Sequence, residues 1–590
     1  MIQGTRVEDF DVEVLAVLKG DVPDGDMILV RLGGDLIKKT GGLAAGMSGS
    51  PVYLSGKLAG ALSYGYEFSD HNIALVTPAE RMMKIFDFQE RARGKVYTLG
   101  DGASGSKSYL REGYVPPVPV RGTPIVTPVM VQGISGRALA RLEKGLSNSM
   151  PSNMVNLRFI QSGGSGGGPG QDMAGKSPAL LPGSAIGVQL MRGDASVTAI
   201  GTVTYVRGDE FLAFGHPFLA KGDVGLYATA AYIHHVVTGL SMPFKVGSPG
   251  MPVGIISQDR MSGILGRLGV EPRAIPVSVT VRDKDTGVTR TFRAQVVDDE
   301  DISSELVGAF VLQAFDTTLN RIGAGTCKLE VTLLLDGLKD PVRRENMYFS
   351  ERDISAVSLD EVHELVDTLH RNEFRDVTFK SISLVSEMEK GQRRAIIREA
   401  RAKEERVLPG GTVHIEVTFQ PYRAPAETRS IEVKIPEDTP PGTLYLTVRG
   451  GNALLVQNSD NNGDQPAPEP RETHKDLDDL IQSLVARERN SDIVVEYYPP
   501  SAGEDTPEGP HKTAPEVPGA GVPVAGVSVA RVPRARVPVA QLGPVAPREE
   551  TQRPSPARYE GASEGLKKFT FPSEYVMDGS CEVEVTVEKP

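Results

Sequence analysis

The stretch that decides the fold is Gly46-Met47-Ser48-Gly49-Ser50-Pro51, a turn of small residues placed directly before β-rich sequence. The runs Pro51–Leu54 and Leu58–Tyr66 flank the turn Ser55-Gly56-Lys57, and this pattern is typical of a β-hairpin. Similar β-rich runs occur on both sides of the hairpin, so we expect residues 10–90 to form short strands joined by tight turns.

The segment Gly46–Pro51, called the serine turn below, has the residues that serine acyl transfer requires. It resembles the Gly-x-Ser-Gly-x-Pro turn that carries the nucleophile of trypsin-like proteases. Glycines let backbone N–H groups turn inward as an oxyanion hole, and a strained bend holds the hydroxyl exposed. Ser48 then occupies the nucleophile position, Ser50 the variable position, and the N–H groups of Gly46, Met47 and Ser48 are the candidate oxyanion donors. The alternative interpretation is an ordinary turn between two strands.

A serine nucleophile needs a base, and the strongest candidate is His216. It lies in Phe214-Gly215-His216-Pro217-Phe218, called the histidine turn below, where Gly and Pro fix the backbone at the end of a predicted strand. His71 is closer to Ser48 in sequence and is the reserve candidate. The other histidines fall on predicted helices, on a strand whose faces alternate, or in other segments: His234, His235, His363, His370, His414, His474 and His511.

Two separate regions of the chain resemble the SpoIVB peptidase family of serine peptidases. The first resembles the C-terminal half of that family in the runs 10–15, 39–52 and 56–61. The second resembles the preceding half of the family, which holds its catalytic histidine, in the runs 200–205, 212–216, 253–257 and 263–268. The two regions cover roughly 1–90 and 180–285, and they occur in the reverse of the family's order.

The resemblance implies a chymotrypsin-like fold in which Ser48 is the nucleophile and His216 is the general base. A two-barrel protease places base and nucleophile on different barrels, so a swapped order of the halves is geometrically tolerable. The family's acidic residue falls where this sequence has Gly33, and Asp35, two residues later, is the candidate for its role. Asp26 and Asp24 stay open as alternatives.

Composition excludes several other classes of protein. The formal net charge of −12 argues against a phosphate-binding surface, because nucleic-acid affinity depends on Lys and Arg. No run approaches 18 consecutive apolar residues, so no transmembrane segment is predicted. The two cysteines, Cys327 and Cys581, form neither a disulfide scaffold nor a zinc motif, and no metal or cofactor is expected. The pattern at 170–177 fits a phosphate loop by its letters, but Pro178 and Pro182 argue against the helix that nucleotide binding needs.

The predicted fold class is mainly β: a chymotrypsin-like double β-barrel core with added small β-sandwich and α+β modules and a disordered Pro-rich segment. The expected units, in chain order, are a serine half (1–90), a mixed connector with a Gly-rich linker (91–179), a histidine half (180–300), an α+β module (301–400), a β-sandwich-like module plus helix (401–498), a disordered Pro-rich linker (499–562) and a C-terminal strand segment (563–590).

The functional hypothesis is a SpoIVB-like serine endopeptidase that makes a regulatory cleavage in a protein substrate, or in itself, at the cell envelope. An envelope protein is the expected partner. The alternative is a non-catalytic envelope or scaffold protein that keeps a protease-like fold for protein binding. No apolar signal core follows Met1 and the first strand begins early. We therefore expect an extracytoplasmic protein whose start was assigned too late, or a cytoplasmic one if Met1 is the true start.

Overall fold

The mainly β fold class is confirmed by the computed structural model of the chain, in which most of the ordered elements are strands. The structure describes residues 1–19, 26–66, 70–88, 122–150, 154–162, 179–238, 242–453, 474–499 and 565–589. Asp24, the phosphate-loop pattern at 170–177 and, apart from Pro499, the predicted Pro-rich linker at 499–562 lie outside these residues.

The serine half forms one open antiparallel sheet. Its strands are β1 (Asp11–Leu18), β2 (Met27–Gly33), β3 (Pro51–Leu54), β4 (Lys57–Gly65) and β5 (Ile73–Pro78), with the short β6 (Thr123–Pro124) paired to β4. The strand order is β1-β2-β5-β4-β3, so β1 and β3 are the two edges. Helices α1 (Asp35–Thr40) and α2 (Ala79–Met83) flank the sheet. The predicted hairpin is confirmed: Ser55 (φ 50°) and Gly56 (φ 76°) are both left-handed, as a two-residue turn between twisted strands requires.

A second sheet of thirteen strands contains the histidine half and continues beyond it. Its strands are β7 (Thr127–Gln132), β8 (Leu157–Gln161), β9 (Ala185–Gly193), β10 (Ser196–Arg207), β11 (Glu210–Ala213), β12 (Gly222–Val237), β13 (Phe244–Arg260), β14 (Gly263–Leu268), β15 (Ala274–Asp283), β16 (Thr289–Val297), β17 (Gly325–Leu335), β18 (Val342–Ser350) and β19 (Phe379–Glu389). The order is β18-β17-β19-β15-β16-β9-β12-β13-β14-β11-β10-β7-β8.

Six of these strands close into a barrel. The path β9-β12-β13-β14-β11-β10 returns to its start because β10 also pairs with β9, and every pairing around the ring is antiparallel. The histidine half is therefore a closed β-barrel, while the serine half is an open sheet packed beside it. The sheet continues through β15 and β19, whose parallel pairing crosses the predicted boundary at residue 300. The domain boundaries stay predictions.

Helices cover the extension of the large sheet. They are α3 (Gly136–Asn148), α4 (Ser303–Leu319), α5 (Ile354–Val357) and α6 (Asp360–His370), and α7 (Leu477–Ala486) follows later in the chain. The apolar α4 is buried in the same hydrophobic core as β15, β16, α3 and α6. No helix among the described residues is both long and apolar enough to cross a lipid bilayer.

A β-sandwich follows in sequence. One layer has the order β23-β22-β20-β27 and the other the order β21-β28-β24-β25-β26. The strands are β20 (Arg394–Ala402), β21 (Arg406–Val407), β22 (Thr412–Pro421), β23 (Glu427–Lys434), β24 (Gly442–Gly450), β25 (Asp492–Tyr497), β26 (Lys567–Pro572), β27 (Val576–Asp578) and β28 (Ser580–Val587). Both layers contribute to one apolar core, and the C-terminal β28 pairs back onto β24.

Candidate functional site

The serine turn is a tight bend held by its own backbone. Gly46 (φ 87°) and Gly49 (φ 89°) adopt left-handed conformations that disfavour other residues. The N–H of Ser50 donates to the carbonyl of Met47 at 2.9 Å, and the N–H of Gly49 donates to the carbonyl of Leu62 on β4 at 2.7 Å. The two glycines predicted to shape this turn therefore do so at backbone angles that need glycine.

Strand β10 of the barrel in the histidine half hydrogen-bonds to the serine turn. The N–H of Thr202 donates to the Ser48 carbonyl at 2.9 Å, and its Oγ1 donates to the Gly46 carbonyl at 3.0 Å. The Oγ1 of Thr204 donates to the Gly49 carbonyl at 2.7 Å. A Cβ on Gly49 would lie 2.0 Å from the Thr202 carbonyl oxygen, so only glycine permits this approach. The conformation of the turn thus depends on contacts between the two halves.

The two serines of the turn differ in their surroundings. The hydroxyl of Ser50 donates to the Met47 carbonyl at 2.7 Å. Ser48 is fully buried, and its Oγ has no hydrogen-bond partner among the described residues. An unsatisfied buried hydroxyl costs free energy, so its presence needs a reason. Of the two, Ser48 is the one whose hydroxyl is left free for another group.

The three candidate oxyanion donors are not equivalent. The N–H of Met47 donates to the carbonyl of Ala44 at 2.9 Å and is therefore engaged. Within the described part of the chain, no acceptor is found for the N–H groups of Gly46 and Ser48. Two donors that flank an engaged one are thus left for a ligand oxygen.

The histidine turn is strained where it presents its ring. Phe214 (φ 72°) and Gly215 (φ 72°) are consecutive left-handed residues, an unfavourable conformation for a phenylalanine that tends to occur at functional sites. The Nδ1 of His216 lies 2.8 Å from its neighbour's carbonyl, that of Pro217. Since a carbonyl oxygen only accepts, Nδ1 carries the proton and Nε2 presents its lone pair. That tautomer is the one a general base uses.

The imidazole of His216 is buried and neutral. Only 1% of the residue is exposed, and Nε2 has no hydrogen-bond partner in the described residues. Burial lowers the pKa of the His216 imidazole to about 4, against the opposing effect of the hydrogen bond to Pro217. The ring is therefore uncharged at neutral pH.

The serine and histidine turns pack against the same short part of β4. Gly49 bonds Leu62, while a Cβ on Gly215 would lie 3.1 Å from the Cβ of Ser63. The Gly215 carbonyl accepts from Oγ1 of Thr77 at 2.7 Å. Ser48 Oγ and His216 Nε2 are both unpartnered, so they are not hydrogen-bonded to each other in this structure. The structure brings the two turns together but leaves the two reactive atoms unlinked.

Neither Asp35 nor Asp26, the two candidate acids among the described residues, is hydrogen-bonded to this ring. Asp35 begins α1 with a fully exposed side chain and pairs with Lys38 at 3.3 Å. Asp26 pairs with Lys19 on the surface. His71, the reserve base, lies beside Gly42, and its carbonyl accepts from Leu43 ahead of the serine turn.

Sequence reasoning missed two buried ionisable residues that hydrogen-bond to the segments around the site. The carboxylate of Asp259 accepts the N–H groups of Phe218 (2.8 Å) and Leu219 (2.6 Å), directly after the histidine turn. Burial raises the pKa of Asp259 to about 6, although these and two further backbone N–H groups lower it. Lys245 is fully buried, and its Nζ lies 3.3 Å from Oγ1 of Thr202. Burial lowers the pKa of Lys245 to about 7.

A cavity of about 340 Å³ opens beside the serine turn, between the two edge strands of the serine half. Its walls include Val12 of β1, Val52 of β3, Met47, Ser50 and Lys245. Ser48 and His216 do not line it. In the described part of the chain, no group of three or more His, Cys, Asp or Glu side chains is placed to hold a metal ion.

Comparison with known proteins supports a peptidase-related N-terminal region. Residues 1–74 match the family model described as SpoIVB peptidase S55. The match contains β1 to β4, the serine turn and the beginning of β5, but it ends before the histidine turn. No curated protein and no solved structure is significantly similar to the chain. The N-terminal 74 residues, which carry Ser48, are thus similar to a serine peptidase of the SpoIVB type.

Proposed function

We propose that the protein is a SpoIVB-like serine endopeptidase in which Ser48 is the nucleophile and His216 is the general base. The observation that carries this proposal is the pair of buried, unpartnered atoms, Ser48 Oγ and His216 Nε2, on two turns packed against the same strand. Buried polar atoms normally have hydrogen-bond partners. A hydroxyl donor and an imidazole acceptor that both lack one, on adjacent turns, therefore favour a reactive site.

The reaction uses groups that the chain already places in this region. His216 Nε2 accepts the proton of Ser48 while Oγ bonds to the carbonyl carbon of a peptide. The carbonyl oxygen gains negative charge, which the free N–H groups of Gly46 and Ser48 stabilise. The imidazolium then gives its proton to the leaving amine as the C–N bond breaks. Water, activated by His216, hydrolyses the acyl-enzyme and restores Ser48.

No carboxylate supports the imidazolium within the described residues, because His216 Nδ1 bonds the Pro217 carbonyl. Asp35 remains the candidate acid only if α1 rearranges, since its side chain is exposed here. A Ser–His pair without an acid still catalyses, but more weakly than a complete triad. We therefore expect a slow protease suited to a regulatory cleavage rather than to digestion.

The substrate we propose is a protein, either an envelope protein or the chain itself. The swapped order of the two halves, the chymotrypsin-like core and the location at the cell envelope are part of the same proposal. They rest on the resemblance of residues 1–90 and 180–285 to the SpoIVB family and on the family match over residues 1–74.

One observation favours the second candidate function, a non-catalytic protein that retains the peptidase fold for binding. Ser48 and His216 are closed off from solvent, at 0% and 1% exposure. A site that never opens would serve only to hold the two halves together. The two functions differ in whether Ser48 becomes reactive under any condition.

Labelling with a fluorophosphonate probe tests the proposal. The purified protein is compared with Ser48→Ala, Ser50→Ala and His216→Ala, each checked for folding by circular dichroism. Ser50→Ala is the matched control, because it removes a hydroxyl from the same turn. The proposal predicts that labelling is lost in Ser48→Ala, falls strongly in His216→Ala and persists in Ser50→Ala. A well-folded protein that is never labelled, even with the site opened, would establish the binding function instead.

A further inference from the structure

A short piece of the chain's own connector lies along the wall of the candidate site. β6 pairs antiparallel with the end of β4, with Thr123 opposite Gly65 and Pro124 opposite Tyr64. The N–H of the next residue, Ile125, donates to the Ser63 carbonyl at 2.9 Å. An extended segment that adds itself to a strand in this way makes the main-chain contacts by which many peptides are bound.

The same part of β4 contacts both reactive turns. Leu62 bonds Gly49 beside Ser48. The Cβ of Ser63 lies against Gly215 beside His216. The ring of Tyr64 meets the His216 ring edge-on, with 6.3 Å between the centroids. A peptide bound along Ser63–Gly65 therefore lies next to both turns.

The connector continues from β4 to the oxyanion end of the site. After Ile125 it reaches Pro128, whose Cγ would lie 3.2 Å from a Cβ on Gly46. The segment is therefore bonded to the Ser63 carbonyl at Ile125 and lies against Gly46, a candidate oxyanion donor, at Pro128. The peptide bonds of residues 125–127 lie between these two contacts. This path is the one that the scissile part of a substrate would need to follow.

One side chain anchors the segment. Ile125 is fully buried in the apolar cluster of the serine half, together with Leu43, Met47 and Leu62. The same cluster contains Met47, the residue directly before Ser48, so the side chain that anchors the segment packs in the core beside the serine turn. A branched aliphatic side chain fills this place.

We propose that residues 123–126, directly before β7, occupy the peptide-binding cleft of the Ser48 site in cis, as a substrate-like strand anchored by Ile125. This inference rests on the proposed function for the identity of the cleft, and it names what the cleft takes: an extended peptide with a branched aliphatic residue in the position of Ile125. The occupied cleft accounts for the burial of Ser48 and His216. A substrate must displace this strand before Ser48 can react.

The first test measures how fast fluorophosphonate labels Ser48 when the anchor is weakened. Ile125→Ala is paired with Ile134→Ala, which makes the same truncation at another fully buried isoleucine in a different apolar cluster. We expect Ile125→Ala to label about tenfold faster than wild type and Ile134→Ala to label at the wild-type rate, because only the former increases the open population. Ile125→Val with Ile134→Val repeats the comparison with proteins that keep more of their stability. Measurable labelling at equal rates within both pairs would overturn the inference.

The second test measures binding without catalysis. A peptide with the sequence of residues 122–128, carrying fluorescein at its N-terminus and an amide at its C-terminus, is titrated with the Ser48→Ala/Ile125→Ala protein, and binding is followed by fluorescence anisotropy. The same peptide with an N-methyl group on its isoleucine is the control, since it lacks the donor that bonds the Ser63 carbonyl. We expect the unmodified peptide to bind at least about tenfold more tightly than the methylated one, the loss expected for a buried backbone hydrogen bond. We expect no binding to Ser48→Ala with the native strand in place.

The two tests separate the two proposals. If no variant is labelled but the peptide binds with this N-methyl dependence, the proposed catalysis fails and the occupied cleft stands. If wild type and Ile125 variants label equally and the peptide does not bind, the occupied cleft fails and the catalytic proposal stands. Equal binding of both peptides also overturns the inference, because the main-chain pairing would then not contribute.

Discussion

Oγ1 of Thr202, on the barrel, donates a hydrogen bond of 3.0 Å to the carbonyl of Gly46, on the serine turn. The same threonine bonds the Ser48 carbonyl through its N–H at 2.9 Å. One residue of the histidine half therefore holds both ends of the Gly46–Ser48 segment. The geometry of the candidate oxyanion donors depends on the barrel, although the donors themselves belong to the other half.

Replacing Thr202 with valine tests this dependence. Thr202→Val keeps the shape of the side chain but leaves the buried Gly46 carbonyl without its donor. We expect a loss of roughly 1–3 kcal/mol in the free energy of unfolding, measured with urea, and slower fluorophosphonate labelling of Ser48. Thr280→Val is the control, because its hydroxyl makes an exposed bond to Thr291. If the two variants lose the same stability, Thr202 does not hold the turn.

Gly49 is expected to tolerate no side chain. A Cβ there would lie 2.0 Å from the Thr202 carbonyl oxygen and 2.5 Å from the Phe214 nitrogen. Gly49→Ala should therefore lose several times the stability of Gly208→Ala, where nothing lies within 4 Å of the added Cβ. Both glycines have positive φ, so the control carries the backbone cost of about 1–2 kcal/mol alone. Thermal unfolding of the two variants makes the comparison, and similar losses would contradict the tight packing of the two halves.

The burial of His216 predicts a stability that falls in acid. Because its pKa is lowered to about 4 in the folded chain, the unfolded chain binds more protons between about pH 4 and pH 6.5. The stabilising difference is complete above pH 6.5 and is lost as the pH falls through 4. Relative to His216→Gln, the wild type should lose roughly 3 kcal/mol over this range. Urea unfolding at several pH values measures this, and a difference independent of pH would mean that the ring is solvated. The comparison with a variant is needed because the pKa of Asp259 is raised to about 6. Protonation of Asp259 therefore stabilises the folded chain as the pH falls, which opposes the effect of His216.

The buried Lys245 is expected to destabilise the folded chain when its side chain is protonated. With its pKa lowered to about 7 by burial, the folded chain disfavours the ammonium, and the unfolded chain binds more protons between about pH 7 and pH 10.5. Stability from this group therefore rises as the pH increases through that range. Lys245→Met should be more stable than wild type by roughly 1–4 kcal/mol at pH 6, as found when buried ionic groups are replaced by apolar ones. The advantage should shrink toward pH 10, and a variant less stable at pH 6 would show that the ammonium is well solvated or paired.

Local patterns in the sequence were sufficient for the elements that carry the site. The small residues of the serine turn and the hairpin turn at Ser55-Gly56 specify backbone angles that few other residues adopt, so both were predictable. The position of His216 at a strand end followed from its Gly and Pro neighbours. The alternating apolar residues of β22 and β24 likewise predicted the strands of the sandwich.

Long-range pairings were not predictable from one sequence. Closure of the barrel depends on β9 pairing with both β10 and β12, and strand periodicity does not specify partners. Asp259 is separated from the histidine turn by some forty residues of chain, and nothing in its sequence surroundings indicates that it binds that backbone. Asp35 was chosen because it lies two residues after Gly33, the position of the family's acidic residue, but the start of α1 turns its side chain to solvent. The pairing of β6 with β4 was missed for the same reason, since a two-residue strand has no periodicity.

The most direct test of the account is to map where a fluorophosphonate attaches. Wild-type and Ile125→Ala proteins are labelled, digested and analysed by tandem mass spectrometry, with Ser50→Ala and Ser48→Ala treated in parallel. The account predicts a single adduct on Ser48, more abundant in Ile125→Ala, retained in Ser50→Ala and absent from Ser48→Ala. An adduct on Ser50, or no adduct on a folded Ile125→Ala protein, would contradict the claim that Ser48 and His216 form a reactive pair.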